Sequence, residues 1–273
     1  MRTDTLYPAN TAQSLAPVSP LSLLDTVWIH GGGLAGDTWR HITARYPRAR
    51  TPDLPGHGHA PAPALPRVEL YADALAASVP SGAVLIGHSL GGMVAMELAA
   101  RQSPQITALI LIETVPTLRD RATSRLTAQL VKNLFRHAPR SLLAWMAGLG
   151  ACDRTRSELR RQLMRMDKAS IATALTASAR YDGRYRLPQI TVPTLVVVGQ
   201  DQTATHHGAA LIADRIAGAE VATLPGGHML HTDNPSGLRC VIEDFLRRTV
   251  LNHSRCLGGA DTQGALTRRQ RNP

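Results

Sequence analysis

Along this chain the apolar positions gather into short unbroken runs, separated by stretches where they recur every three or four residues. Four runs have strand length: Thr26-Val27-Trp28-Ile29, Ala83-Val84-Leu85-Ile86, Ile106 to Ile112 and Thr194 to Val198. A continuous rather than alternating run suits a strand covered on both faces, as in a parallel sheet. Two weaker runs, Ala49 to Asp53 and Glu220 to Leu224, read as further strands. Helical composition or spacing appears over Asp37 to Tyr46, Val68 to Val79, Met93 to Arg101, residues 208–217 and Ser236 to Thr249. This alternation predicts an α/β chain with a mostly parallel central sheet and helices on both faces.

The alternation is interrupted between Ile112 and Thr194. There Leu126, Leu130, Leu134 and Phe135, then Leu159, Leu163 and Met166, then Ile171 and Leu175 recur at helical spacing. Residues 115–187 therefore read as a helical cap inserted into a core made of 23–114 and 188–250. Residues 1–22 carry Pro8, Pro17 and Pro20 without periodicity and read as an irregular lead-in. Residues 251–273 read as a disordered tail.

Charge singles out the same insertion. The chain has 30 Lys/Arg and 20 Asp/Glu. Residues 119–186 hold fifteen of the basic and five of the acidic ones, which leaves fifteen of each elsewhere. Arginines on a helix ordinarily form a solvated face. Here they also offer a surface that would draw in an anionic substrate or an acidic carrier. They are not interleaved with aromatics in a short run, which argues against nucleic acid. No apolar run reaches membrane-span length. The start of the chain lacks a secretory pattern, and Cys152, Cys240 and Cys256 are too few and too scattered for a disulfide framework or a zinc site. Cytoplasmic residence is the expectation.

Candidate chemistry centres on Gly87-His88-Ser89-Leu90-Gly91, a G-x-S-x-G sequence between a strand and a helix. A serine hydroxyl is a weak nucleophile. It needs a base within hydrogen-bond reach, and the base needs a third group to hold its tautomer. His228, in Pro225-Gly226-Gly227-His228, is the candidate base, and Asp201, in Gly199-Gln200-Asp201, the candidate acid. Both follow predicted strands, in the order Ser, Asp, His. The backbone N–H groups of Leu90 and of Gly32, in the cluster His30-Gly31-Gly32-Gly33, are candidate oxyanion donors. Asp53 reads as a turn residue and His88 as packed or hydrogen-bonded. His57-x-His59 sits in a Gly/Pro turn without a third metal ligand at suitable spacing.

These stretches, with Asp53-Leu54-Pro55-Gly56-His57-Gly58, make residues 26–249 resemble the α/β-hydrolase fold family. Carboxylesterases, enol-lactonases and pimeloyl-carrier methyl esterases are similar to it about equally. The resemblance implies a serine hydrolase of carboxylic ester or thioester bonds, working through an acyl-enzyme on Ser89 without metal or organic cofactor. The substrate would be a small-molecule ester or thioester, anionic or carrier-bound, with no nucleic-acid or membrane partner. It also implies His228 rather than His231 as base, and Asp201 in preference to Glu113, although an acid at the latter place serves some members. Relatives with lyase or cofactor-free oxygen chemistry, or with ligand binding alone, keep those alternatives open. Members usually carry an antiparallel hairpin before the oxyanion strand, and the Pro-rich lead-in leaves little room for one, so a reduced N-terminal edge is expected.

Overall fold

A computed structural model describes residues 20–102, 105–119 and 138–251. Its centre is a six-stranded sheet of β1 (Thr26–Ile29), β2 (Ala49–Arg50), β3 (Ala83–His88), β4 (Ile106–Ile112), β5 (Thr194–Gly199) and β6 (Glu220–Leu224). The spatial order is β2-β1-β3-β4-β5-β6, and every pairing is parallel.

The unbroken apolar runs are explained by two cores. Alternate residues of each strand face opposite sides. Val27, Ile29, Leu85, Leu109, Leu111, Val196 and Val198 pack on one side, against α2 (Val68–Ala76), α3 (Leu90–Gln102) and α7 (Thr203–Arg215). Trp28, Val84, Ile86, Ile110, Ile112, Leu195 and Val197 pack on the other, against Trp39 and α8 (Pro235–Leu246).

Register then fixes where chemistry can occur. Ile29 pairs with Gly87, His88 with Ile112, Ile112 with Val197 and Gly199 with Leu224. The loops after β1, β3, β4, β5 and β6 therefore emerge together at the carboxyl edge of the sheet, where open α/β sheets bind ligands.

Some elements differ from the sequence reading. The strand expected over Ala49–Asp53 pairs only at Ala49 and Arg50, since Pro52 has no N–H for a ladder. The helix expected from Asp37 opens as a 3-10 turn, Gly36–Trp39, before the short α1 (Arg40–Thr43). Helix α7 starts at Thr203, five residues ahead of the expected residue 208, because no large apolar side chain in that first turn marks it. The lead-in and its hairpin question (residues 1–19), the stripe Leu126, Leu130, Leu134 and Phe135, and the tail from residue 252 lie outside the described residues.

Between β4 and β5 the described chain forms α4 (Arg140–Ala147), α5 (Asp153–Arg165) and α6 (Lys168–Arg180). The Asp167 carboxylate caps α6 by accepting from Ser170 N at 3.0 Å. Ala144, Leu163, Met166 and Ile171 make a small core within this segment. The face of α5 turned to the β-sheet body is polar instead, with Thr155, Glu158 and Gln162 buried.

That face explains where part of the arginine surplus goes. Asp37 accepts from Arg161 at 2.5 Å, Arg165 at 3.0 Å and Gln162 at 2.8 Å. Glu158 accepts from Arg40, Arg161 and Gln162. The Arg161 hydrogen bond, with help from Gln162 and Arg165, holds the Asp37 carboxyl far below its usual range. Burial alone would raise Glu158, but its Arg161, Gln162 and Arg40 hydrogen bonds outweigh that and bring it down to about 2. A second tie joins the end of the segment to α3. The buried Glu97 carboxylate accepts from Arg101, from Arg186 at 2.8 Å and from the Tyr181 hydroxyl at 3.2 Å.

Candidate active site

Ser89 sits between β3 and α3 at φ +53°, and Glu113, just past β4, at φ +49°. They are the only non-glycine residues in the left-handed region among those described, each at a cost of about 1–2 kcal/mol. The Ser89 turn closes because its flanks are glycines. A Cβ on Gly87 would come within 2.4 Å of the Gly91 carbonyl oxygen, and one on Gly91 within 2.3 Å of the Ile29 carbonyl oxygen. Ser89 N donates to Ile112 O, and the Ser89 carbonyl accepts from Met93 N and the Thr114 hydroxyl. Its side chain is left partly exposed at the rim.

Across from it the glycine loop is held by two histidines. His30 Nε2 accepts from Leu54 N at 2.9 Å, so its Nδ1–H donates to Gly31 O. His57 Nε2 accepts from Gly33 N, so its Nδ1–H donates to Pro55 O. Both must be neutral for these bonds. Burial, reinforced by His57, pushes His30 down to about 3, and burial lowers His57 as well. The Asp53 carboxylate completes the turn by accepting from Gly36 N and His59 N. Gly33 N is thereby committed. The N–H groups of Gly32 and Leu90 donate to no acceptor among the described residues. A Cβ on Gly32 would lie 4.0 Å from that of Leu90.

The loop after β6 carries His228. His228 is partly exposed, and its ring centroid lies 4.9 Å from that of His88, the residue before the serine. His88 is buried, and its Nε2–H donates to the His228 carbonyl oxygen at 2.8 Å. Its Nδ1 faces Gly31, where a Cβ would approach to 2.7 Å. Burial first, then the neighbouring His228 and His231, push His88 well below the ordinary histidine range. His231 is buried against Trp39, with Nε2 3.0 Å from the Thr38 hydroxyl. Burial lowers it to about 4.

The carboxylate at His228 is not that of Asp201. Glu113 Oε2 lies 3.4 Å from His228 Nδ1, and the carboxylate is fully buried. Gly199 N donates to its Oε1, and the Thr205 hydroxyl to its Oε2 at 3.0 Å. Asp201 has its backbone N tied to Gly226 O, but its side chain is exposed and pairs with no described residue. The reason is position. Glu113 leaves the central strand β4, and its longer side chain reaches under the histidine, whereas Asp201 lies beyond the end of β5 and turns to solvent. Sequence reasoning did not find Thr205, Thr114 or Asp233, which hold the backbone and carboxylates here. Each is a short polar residue in a loop or near a helix end, without a pattern of its own.

Two clefts flank α5. One of about 560 Å³ is lined by His228, Asp201, Cys152, Thr155, Leu159 and Asp233. The other, about 370 Å³, runs past His59, Gln162, Arg165 and Ser170. Among the described residues no group of three or more His, Cys, Asp or Glu is placed to hold a metal, and no helix is long and apolar enough to cross a membrane.

A parallel sheet thus sets a glycine-flanked serine at the carboxyl edge of β3, with His228, and the buried Glu113 carboxylate 3.4 Å from that histidine, at the same edge. The chain belongs to the alpha/beta hydrolase family, which matches residues 26–239. It is similar to the pimeloyl-[acyl-carrier protein] methyl ester esterase of Aromatoleum aromaticum, 31% identical over 246 residues, covering 82% of this chain and 98% of that protein. Among solved structures, a hydrolase from Pseudomonas aeruginosa aligns with TM-score 0.71 at 25% identity, covering 82% of this chain and 90% of that one. The enol-lactonase from Burkholderia xenovorans aligns with TM-score 0.70 at 23% identity over 82% and 92% of the two chains, and shares the fold.

Proposed function

We propose that the protein is a serine hydrolase of carboxylic esters, with Ser89 as nucleophile, His228 as base and Glu113, rather than Asp201, as the acid that orients the base. The observation that carries this reading is the Glu113–His228 contact beside the strained serine turn. Glu113 Oε2, at 3.4 Å and short of a hydrogen bond here, would draw the ring proton to Nδ1 once the pair closes, which leaves Nε2 free to take the Ser89 proton as the hydroxyl attacks the ester carbonyl. The tetrahedral oxyanion would be stabilised by the N–H groups of Leu90 and Gly32, each such donor being worth on the order of 3 kcal/mol. Collapse expels the alcohol, which leaves with the proton from His228. The acyl-enzyme is then cleaved by water that His228 deprotonates. An activity-based fluorophosphonate should label the folded wild-type chain on Ser89 and fail to label Ser89→Ala. Absence of labelling in the folded wild type would remove the reading.

The segment 115–187 is proposed as a cap over this site, and the methyl ester esterase relatives support an acyl group presented on a carrier. Arg161 and Arg165 are engaged by Asp37 and Glu158. The rest of the basic surplus of this segment would give long-range attraction for an acidic carrier. kcat/KM toward a carrier-bound ester should therefore fall as salt rises from 50 to 500 mM, while a neutral short-chain ester changes by less than about twofold. Equal salt responses would discard the steering role.

A further inference from the structure

The histidine loop is held from two directions. From the sheet side, His88 donates to the carbonyl of His228 itself. From the other side comes α5, which belongs to the inserted segment. Thr155 Oγ1, on its first turn, lies 2.5 Å from Asp233 Oδ1 and 2.6 Å from Thr232 Oγ1. The other oxygen of the same carboxylate, Asp233 Oδ2, accepts from Gly227 N at 3.0 Å. Gly227 is the residue before His228. Thr155 is buried, and the cleft lined by His228 is also lined by Thr155 and Asp233.

We propose that α5 positions the base from outside the sheet, through a relay from the Thr155 hydroxyl to the Asp233 carboxylate to the Gly227 N–H. Seating of the helix then sets the pose of the His228 ring over Glu113, and a ligand entering the cleft meets the relay and the base together. Thr155 and Asp233 are positioning residues. They act through His228, so this inference rests on the function proposed above. A hydroxyl is needed at position 155 because the Oδ1 side of the carboxylate is otherwise met only by the thiol of Cys152, at 3.6 Å, which is a weak donor. An ionised carboxylate deprived of its partner reorients toward solvent and releases the N–H it holds.

The test compares full-length wild type, Thr155→Val and Thr155→Ser on a neutral short-chain ester, with amide hydrogen exchange read at Gly227. Thr155→Val should lower kcat about tenfold with KM within about twofold, and speed Gly227 exchange about tenfold or more. Thr155→Ser should restore both. A Thr155→Val protein with wild-type kcat and wild-type Gly227 protection would overturn the relay. If that variant does not fold, Asp233→Asn, which keeps shape but loses the charge, carries the same readouts. A wild type without esterase activity would sink the proposed function, while Gly227 exchange would still report on the relay.

Discussion

Glu113→Gln is expected to lower kcat by about 10³–10⁴-fold, while Asp201→Asn stays within about threefold of wild type. The asymmetry follows from the donors that surround the carboxylate. Gly199 N occupies one oxygen of Glu113, and the other faces the Thr205 hydroxyl and His228 Nδ1. A glutamine has one oxygen and one NH₂ for these places. With its oxygen left on Gly199 N–H, its NH₂ points at the histidine and makes Nδ1 an acceptor. The ring proton then sits on Nε2, which can no longer take a proton from Ser89. Turned over, the amide would set NH₂ against the Gly199 N–H, which is worse. Steady-state kinetics on the two variants, with circular dichroism to establish folding, check this. A full-strength loss in Asp201→Asn together with an active Glu113→Gln would return the acid to position 201.

The second large effect is on stability in mild acid. His30, His57, His88 and His231 are buried and have pKa values lowered chiefly by burial, to about 3 for His30 and about 4 for His231. In the unfolded chain each takes a proton near pH 6.5. Below that pH the unfolded state binds protons that the native state does not, so stability falls as pH falls. The loss continues until the native-state values are reached. Each such histidine contributes a slope of up to about 1.4 kcal/mol per pH unit between its unfolded and folded values, so His30 and His231 alone give about 3. Against a total stability of the order of 10 kcal/mol, most of it is expected to be lost by about pH 4. The carboxylates work in a lower window. Asp37 and Glu158 are depressed, so their contribution is whole above the normal carboxylate range and fades only as pH drops through and below it. Urea midpoints at pH 7.5, 6.5, 5.5 and 4.5, at constant ionic strength, separate the two. A flat midpoint from pH 7 to 5 would show that these imidazoles protonate without cost.

Much of the architecture was readable because apolar runs that are unbroken demand cover on both faces, and Trp28 and Ile29 pack into opposite cores as that reading requires. The serine turn and the glycine loop were readable because close approach, by backbone at 87 and 91 and by the His88 ring at 31, leaves room for no other residue there. Which carboxylate faces His228 was not readable in the same way. Asp201 and Glu113 both follow buried strands, and the choice depends on side-chain reach and on which one Gly199 N and Thr205 address. The inner face of α5 was hidden for a related reason. Periodicity searches look for apolar stripes, and this buried stripe is Thr155, Glu158 and Gln162. Its partners Asp37, Arg40 and Asp233 lie far off in sequence.

A helix seated on the body of a protein by polar bonds behaves differently under stress from one seated by grease. Directional contacts have a single register, so a helix that lifts away returns to the same place instead of sliding along an oily groove. Little apolar area is uncovered when it lifts, so the heat-capacity change is small and the equilibrium depends only weakly on temperature. Ionic strength becomes the lever, while urea, whose effect scales with the surface exposed, acts weakly. For α5, whose Leu163 packs with Met166 inside its own segment, any lifting would be tuned by salt more than by warmth.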